Sequence, residues 1–360
     1  MTIGVLLVDD SAVVRGLITR ALSADSNIRI LGSAFNGAVA IPLVKQYQPD
    51  IIILDIEMPE MDGITALPKL IEAAPKAKII MASTLTLRNA DISLRALELG
   101  ASDYVAKPTA RDGTELEKFY RELLEKIYAL TGHTKLQAIA SPSAAAQISP
   151  ALFSSKPITL LPNTPFTRPI RAVAIACSTG GPQALVTLFT ALRGHLKNIP
   201  IFITQHMPPT FTTILAQNIS KVGERPCKEG MDGELVAAGQ TYIAPGNFHM
   251  VAERKNNSVV IHTNQEPPEN FCRPAADPML RSLSAVYGAE LLVVVMTGMG
   301  SDGLEGAKIA VSNAASVVAQ DEASSVVWGM PGAVATNGLC RAVLPLKEIA
   351  PYLIRTIANA

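Results

Sequence analysis

Short runs rich in β-branched residues alternate with longer amphipathic runs from residue 3 to about residue 130, and the alternation resumes at Arg171. Consecutive parallel strands have to be joined through a covering helix, so this pattern dictates a parallel sheet buried on both faces, formed twice along the chain. In the first stretch, strands are predicted at 3–8, 29–34, 51–54, 78–82 and 103–106, with helices near 12–22, 37–47, 63–73, 88–99 and 113–130. In the second, strands are predicted at 172–176, 200–204, 241–244, 250–252, 258–262, 291–296 and 316–319, with helices near 182–193, 211–221, 278–287, 303–313, 323–336 and 346–358. Lys255-Asn256-Asn257 sits between two of these strands as a turn, so a β-hairpin insertion is expected there.

The two stretches are separated by a change in composition. Between Leu136 and Thr167 the only charged residue is Lys156, and Pro142, Pro150, Pro157, Pro162 and Pro165 recur among Ala and Ser. Proline removes a backbone donor and disfavours helix in the residue before it, so an extended linker is expected, with apolar patches such as LLP able to dock on a domain surface. The chain divides into domains at 1–130 and 169–360 with a linker at 131–168, and its 360 residues are enough for each domain to bury its own core.

Bulk properties exclude several classes. Lysine plus arginine equal aspartate plus glutamate at 31 each, so no basic excess offers itself to nucleic acid or to an anionic membrane surface. No apolar run approaches the roughly 18 residues of a membrane span. The N-terminus MTIGVLLVDD runs into two aspartates where a signal peptide needs a small-residue cleavage site. The four cysteines (Cys177, Cys227, Cys272, Cys340) lack metal-ligand spacing, and a reduced cytoplasmic chain is expected.

Chemistry-bearing residues gather at predicted strand ends, where ligands of open parallel sheets bind. In the first domain Asp9 and Asp10 follow IGVLLV, Asp55 ends IIIL, Ser83 ends the fourth strand, and Lys107-Pro108 follows the fifth. Three carboxylates make a hard oxygen site for Mg²⁺, and a lysine beside them suits phosphoryl transfer to a carboxylate. Asp9-Asp10 alone reads equally as a pair of helix-capping acids, and Lys107-Pro108 alone is merely a loop.

In the second domain, RAVAIA runs into Cys177-Ser178-Thr179-Gly180-Gly181-Pro182, His206 closes PIFITQ, and Asp302 follows LLVVVM through Thr297-Gly298-Met299-Gly300-Ser301. Ser178, His206 and Asp302 are thus expected at one edge of one sheet, as a nucleophile, its base and an orienting carboxylate must be. Taken singly, Ser178 reads equally as an N-cap, STGGP as a phosphate cradle, His206 as a loop histidine and Asp302 as a helix cap. The order Ser…His…Asp, and Ala176 in place of the elbow glycine, set this arrangement apart from α/β-hydrolases. Cys177 reads as a small buried side chain rather than a nucleophile.

Residues 3–125 resemble the receiver domain of two-component response regulators through LLVDDS, DIEMPEMDG, MAST and DYVAKP. Residues 171–358 resemble the catalytic domain of CheB-type protein-glutamate methylesterases through IACSTGGP, ITQHMP, YIAPGNFHM, MTGMGSDG and QDEASSVVWGMP. The resemblance implies a flavodoxin-like receiver with a five-stranded parallel sheet and a doubly wound α/β methylesterase domain. It implies Asp55 as phosphoacceptor, and Asp9, Asp10, Asp55 and the Glu57 carbonyl around Mg²⁺. Ser83 and Lys107 would contact the phosphoryl group, with Tyr104 as the switch aromatic. In the second domain it implies Ser178, His206 and Asp302 as the triad, the Thr179 and Met299 amides as oxyanion donors, and no cofactor for the esterase. Cys177 departs from the glycine or alanine usual before Ser-Thr-Gly-Gly. The implied activity is hydrolysis of glutamate methyl esters on chemoreceptors with release of methanol, together with deamidation of receptor glutamines. The partners are a chemotaxis histidine kinase as phosphodonor and methyl-accepting receptors as substrate. The receiver is expected to cover the cleft near Ser178 until it is phosphorylated. A receptor-binding adaptor that keeps the esterase fold without turnover is the alternative; a receiver-driven transcription factor is disfavoured by the Gly-rich α/β second half.

Overall fold

A computed structural model describes residues 2–84, 86–107, 113–133, 158–162, 165–166 and 168–358. Pro108 and most of the predicted linker, 134–157, lie outside these residues.

The N-terminal unit runs β1 (Ile3–Val8), α1 (Ala12–Leu22), β2 (Ile28–Ala34), α2 (Gly37–Tyr47), β3 (Ile51–Asp55), α3 (Gly63–Ala73), β4 (Lys78–Ser83), α4 (Leu87–Glu98), β5 (Asp103–Ala106) and α5 (Gly113–Thr131). Its sheet has the order β2-β1-β3-β4-β5 with every pair parallel. Helices cover both faces, so β1 is buried along its whole length, which is why IGVLLV shows no polar alternation. Side chains start the helices where the sequence supplies acceptors: Ser11 Oγ accepts from Val14 N at 3.3 Å, Asn36 Oδ1 from Val39 N at 2.9 Å and Asp62 Oδ1 from Thr65 N at 2.7 Å. The chain reverses direction between β1 and β3, and the loops leaving their carboxyl ends part to form a crevice.

The C-terminal unit comprises β6 (Ala172–Cys177), α6 (Gly181–Ala191), β7 (Ile201–Gln205), α7 (Phe211–Gly223), β8 (Cys227–Glu229), β9 (Glu234–Leu235), β10 (Thr241–Ile243), β11 (His249–Lys255), β12 (Ser258–Asn264), α8 (Ala276–Tyr287), β13 (Leu291–Val295), α9 (Leu304–Ser312), β14 (Ser316–Gln320), α10 (Met330–Thr336), β15 (Ala342–Leu344) and α11 (Leu346–Ala358). Seven strands form a parallel sheet in the order β15-β14-β13-β6-β7-β10-β8. Here β6 connects outward through α6 to β7, while β13 connects through α9 in the opposite direction to β14, so the crevice opens between β6 and β13.

Each predicted strand has a counterpart. β8, β9 and β15, of two or three residues, were too short for any periodicity to show. The predicted hairpin is β11–β12, antiparallel with Lys255 opposite Ser258, and Asn256 takes a left-handed φ of +56° in the two-residue turn. With β9 it makes a separate three-stranded sheet held to α8 by Ala252 N donating to Ser282 Oγ at 3.1 Å. One prediction fails: the helix expected over 323–336 begins only at Met330. Asp321 Oδ1 takes both Ser324 N (3.0 Å) and Ser324 Oγ (2.5 Å), and Gly298 bridges to Trp328, so residues before 330 are held in a turn.

The two units touch. Tyr104 of β5 stacks on Phe211 at the start of α7, with centroids 4.6 Å apart and planes 7° from parallel. Gln183 Nε2 donates to Ala101 O at 3.1 Å, and Asn218 Nδ2 donates to Glu98 Oε1 at 2.9 Å. Buried apolar contact continues across this seam from Leu94, Leu97 and Tyr104 to Leu185, Leu215 and Phe211. At the far end of the linker, in the LLP stretch, Leu161 N donates to Cys340 O at 2.8 Å. No helix among the described residues is long and apolar enough to cross a membrane.

Candidate active site

The first crevice gathers the acidic residues. Oxygens of Asp9, Asp10 and Asp55 all lie within 4.8 Å of one another. Lys107 Nζ bridges two of them, 2.6 Å from Asp9 Oδ2 and 2.7 Å from Asp55 Oδ1. Ser83 ends β4 beside β3, buried, with its Oγ 3.0 Å from Ser93 Oγ. Tyr104 is buried against Phe211 rather than open to solvent. Glu57 follows on β3 with its side chain exposed. The donor set is all hard oxygen, and the lysine alone balances only part of its charge, so the residues fit a divalent cation of the Mg²⁺ type.

Burial raises the Asp55 pKa from 3.8 to about 6; Lys107 opposes the rise and the Asp9 charge adds to it. Because folding raises this pKa, the native state holds the proton more tightly than the unfolded chain. Ionised Asp55 therefore costs stability, increasingly as pH rises from 3.8 through about 6. With divalent cations chelated, Asp55→Asn should raise unfolding stability at pH 8 by on the order of 2 kcal/mol, and the gain should vanish by about pH 4. Melting curves at the two pH values check this. A difference independent of pH would show that the Asp55 charge is not its source.

The second crevice holds the triad candidates. β6 and β7 pair with Cys177 opposite Gln205, and His206 N donates to Cys177 O at 3.3 Å, so Ser178 and His206 leave neighbouring strands side by side. On the other side of β6, Ser178 N donates to Thr297 O at 3.0 Å. Asp302 reaches past this edge to His206, Oδ2 to Nε2 at 2.6 Å. All three sequence-predicted residues therefore stand at one carboxyl edge.

The turn after β6 is built for close approach. Gly180 has φ +75°, and a Cβ there would lie 2.6 Å from Val326 Cβ; one on Gly181 would meet Gln205 Oε1 at 1.9 Å. This leaves the N-terminus of α6, with its positive dipole end, beside Ser178. Among the described residues, neither the Thr179 nor the Met299 amide donates a hydrogen bond within the protein. Two unspent donors flanking Ser178 suit a developing oxyanion.

Asp302 is 1% exposed yet heavily bonded. Besides His206, its oxygens accept from Ala276 N at 2.6 Å, Asp277 N at 3.1 Å, Gly303 N at 2.9 Å and Asn270 Nδ2 at 3.0 Å. Two of these amides open α8, so the carboxylate also caps that helix. Burial alone would raise its pKa, but the His206 bond and charge, with the Ala276 and Asp277 amides, outweigh burial and hold it below the usual range. Asp277, directly behind, is pushed up to about 6 by its own burial and by the Asp302 charge. For His206, burial opposes the imidazolium, yet Cys272 and Asp302 together raise the pKa well above the ordinary histidine value.

The structure adds residues that the sequence reading passed over. Cys272 Sγ lies 3.4 Å from His206 Nδ1, and Asn270 links the two carboxylates, reaching Asp277 Oδ2 at 3.0 Å as well as Asp302. No spacing signal marked them, because both come from the loop between β12 and α8 and not from the carboxyl end of a strand in the parallel sheet. Cys177 is fully buried, its pKa driven far up by desolvation, with Sγ 3.8 Å from Thr204 O. That agrees with a packing role.

Comparison with known proteins finds two family matches: the CheB methylesterase family over residues 173–353 and the response regulator receiver domain over residues 5–118. A protein-glutamate methylesterase/protein-glutamine glutaminase of Paramagnetospirillum magneticum is 50% identical, with 99% of this chain and 97% of the relative covered. One of Rhodospirillum centenum is 48% identical over 99% of this chain and 94% of its own length. Among solved structures, the Thermotoga maritima CheB methylesterase catalytic domain matches with a TM-score of 0.50 at 36% identity, covering 52% of this chain and 98% of that one.

Proposed function

The chain belongs to the CheB methylesterase family and carries a response regulator receiver domain, and from that premise we propose a phosphorylation-regulated protein-glutamate methylesterase that also deamidates glutamine. The observation that carries this reading is the His206–Asp302 contact of 2.6 Å at the strand edge that also holds Ser178. On this reading the receiver spans 1–130, a linker 131–168 and the catalytic domain 169–360.

Ser178 Oγ attacks the ester carbonyl of a methylated receptor glutamate. With Nε2 bonded to Asp302, the ring nitrogen left to take the serine proton is His206 Nδ1. The carbonyl oxygen, now negative, is met by the Thr179 and Met299 amides and the α6 N-terminus. His206 returns the proton to the leaving methoxide, methanol departs, and water activated by the same ring hydrolyses the acyl-enzyme. A glutamine side chain follows the same path with ammonia leaving. Asp302, held by four donors besides His206, keeps the ring in the required tautomer and stabilises the imidazolium.

In the receiver, Asp55 is the phosphoacceptor, drawing its phosphoryl group from a chemotaxis-type histidine kinase. Ser83 and Lys107 contact that group. Asp9, Asp10 and Asp55, with the Glu57 carbonyl, would hold Mg²⁺, which when bound offsets phosphoryl charge. Phosphorylation would take Lys107 and Ser83 into new contacts and disturb Tyr104, whose ring is the receiver's stacked contact on α7. Since α6 follows Ser178 and α7 follows His206, a receiver docked on both helices stands beside the cleft, and its release would open the cleft to receptor helices.

The test is methanol release from methylated receptor membranes, before and after a small-molecule phosphodonor. The rate should rise on phosphorylation, and a phosphorylated chain that releases no methanol would remove the reading. The docking contact has its own check. Asn218→Glu places a carboxylate against Glu98 at an exposed rim and should raise the unphosphorylated rate about two- to threefold, the scale of one surface charge pair. Adding Glu98→Lys should reverse the rise. No rise, or no reversal, speaks against this seam as the gate.

A further inference from the structure

The turn Glu269–Cys272 touches two members of the triad, His206 through Cys272 and Asp302 through Asn270. Cys272 N donates to Glu269 O at 2.8 Å, and both central residues are left-handed, Asn270 at φ +50° and Phe271 at +63°. Asparagine tolerates that conformation, whereas a bulky phenylalanine is strained there. The Glu269 carboxylate anchors the turn to Arg281 of α8, with Arg281 Nη1 2.8 Å from Oε2. Phe271 gains no burial in return, being 80% exposed, but its ring lies 5.5 Å from the Arg121 guanidinium on receiver helix α5.

Inward, the same turn delivers Cys272 to His206. With Nε2–H donated to Asp302, the neutral ring offers Nδ1 as acceptor, and the Cys272 thiol, 3.4 Å away, donates to it. Among the described residues Ser178 Oγ has no hydrogen-bond partner. The nitrogen that Ser178 would have to use is thus already occupied by the thiol.

We propose that Cys272 is a positioning residue that parks the base: its thiol occupies the His206 nitrogen that Ser178 must use, and the strained Glu269–Cys272 turn has to shift before Ser178 can be deprotonated. This rests on His206 being the base for Ser178. Receiver helix α5 touches the tip of the turn through Arg121, so undocking of the receiver and release of the base are linked through Phe271. The charged and titratable groups around His206 are Asp302 from the β13–α9 loop, Cys272 and Glu269 from the turn, and Asp277 and Arg281 from α8.

The test uses the full chain, unphosphorylated, with methanol release measured across pH for wild type, Cys272→Ala, Cys272→Ser and Ser178→Ala. Cys272→Ala should raise the unphosphorylated rate about fivefold, the factor one ordinary net hydrogen bond represents, and should shrink the gain on phosphorylation. It should also shift the acid limb of kcat/KM, because Cys272 is one of the two side chains in contact with the His206 ring and so helps to set its pKa. Cys272→Ser, whose hydroxyl still reaches toward Nδ1, should fall between wild type and alanine. An unchanged or lower rate with an unmoved acid limb overturns the proposal, since a merely structural thiol would give that result. Ser178→Ala separates the two layers. If it is inactive while Cys272→Ala behaves as wild type, the site stands and only the parking fails; if it keeps activity, the site reading itself fails. Should Cys272→Ala not fold, imidazole ¹⁵N spectra of the wild type decide alone. A His206 Nδ1 resonance that shifts on phosphorylation supports parking, and one that stays fixed overturns it.

Discussion

Ser178→Ala is expected to slow methanol release by about 10⁴- to 10⁶-fold while leaving thermal unfolding essentially unchanged. The two halves of that expectation have different sources. The rate falls because the acyl-enzyme is formed on the Ser178 hydroxyl, which alanine lacks. Cys177, next in sequence, is 0% exposed and its thiol is held far from ionisation, so it cannot substitute. Stability is spared because the Ser178 hydroxyl has no hydrogen-bond partner among the described residues, and its removal strands none. Residual turnover should remain, since the Thr179 and Met299 amides and the substrate contacts survive. Adding His206→Ala should cost little more, because residues that act as a unit do not contribute additively. Methanol release paired with a melting curve checks both halves. Full activity in the folded variant would mean that the chemistry lies elsewhere.

Asp302→Asn is expected to lower kcat by about 10³- to 10⁴-fold and, unlike the serine variant, to destabilise the fold as well. The Asp302 carboxylate receives five donors on two oxygens, from His206, Ala276, Asp277, Gly303 and Asn270. An amide nitrogen in the Oδ2 position would face His206 Nε2 and Ala276 N; in the Oδ1 position it would face Asn270, Asp277 N and Gly303 N. Either orientation sets a donor against at least two donors, at about 1–3 kcal/mol for each one stranded. If the amide nitrogen faces Nε2, the imidazole must accept there and carry its proton on Nδ1, so the atom needed to deprotonate Ser178 is already protonated. The α8 N-terminus loses its capping charge in the same change. A combined drop in kcat and in melting temperature is the expected signature. A variant that lost activity with unchanged stability would mean that the capping bonds contribute little to the fold.

Much of this protein was legible in the sequence because strand ends are local features. IGVLLV running into Asp9-Asp10, IIIL into Asp55, RAVAIAC into Ser178, PIFITQ into His206 and LLVVVM into Thr297 each carry their own boundary, and parallel sheets gather such boundaries at one edge. The failed helix over 323–336 shows the limit of that logic. Gly329 and Pro331 are poor helix-interior residues, and Pro331 sits in the first turn of α10, while the Asp321 carboxylate capturing Ser324 and Gly298 bridging from another loop hold the residues before it in a turn.

The amino-acid sequence by itself determined two parallel α/β domains, a proline-rich segment between them and the chemical inventory of each crevice, because periodicity and strand-end residues are properties of adjacent positions. Only the tertiary structure decided which nitrogen of His206 meets Asp302, that Cys272 holds the other, and that Tyr104 rests on Phe211 rather than on solvent. Those outcomes depend on loops distant in sequence arriving at one point, where competing donors differ by only about 1 kcal/mol, and no local pattern encodes which of them wins.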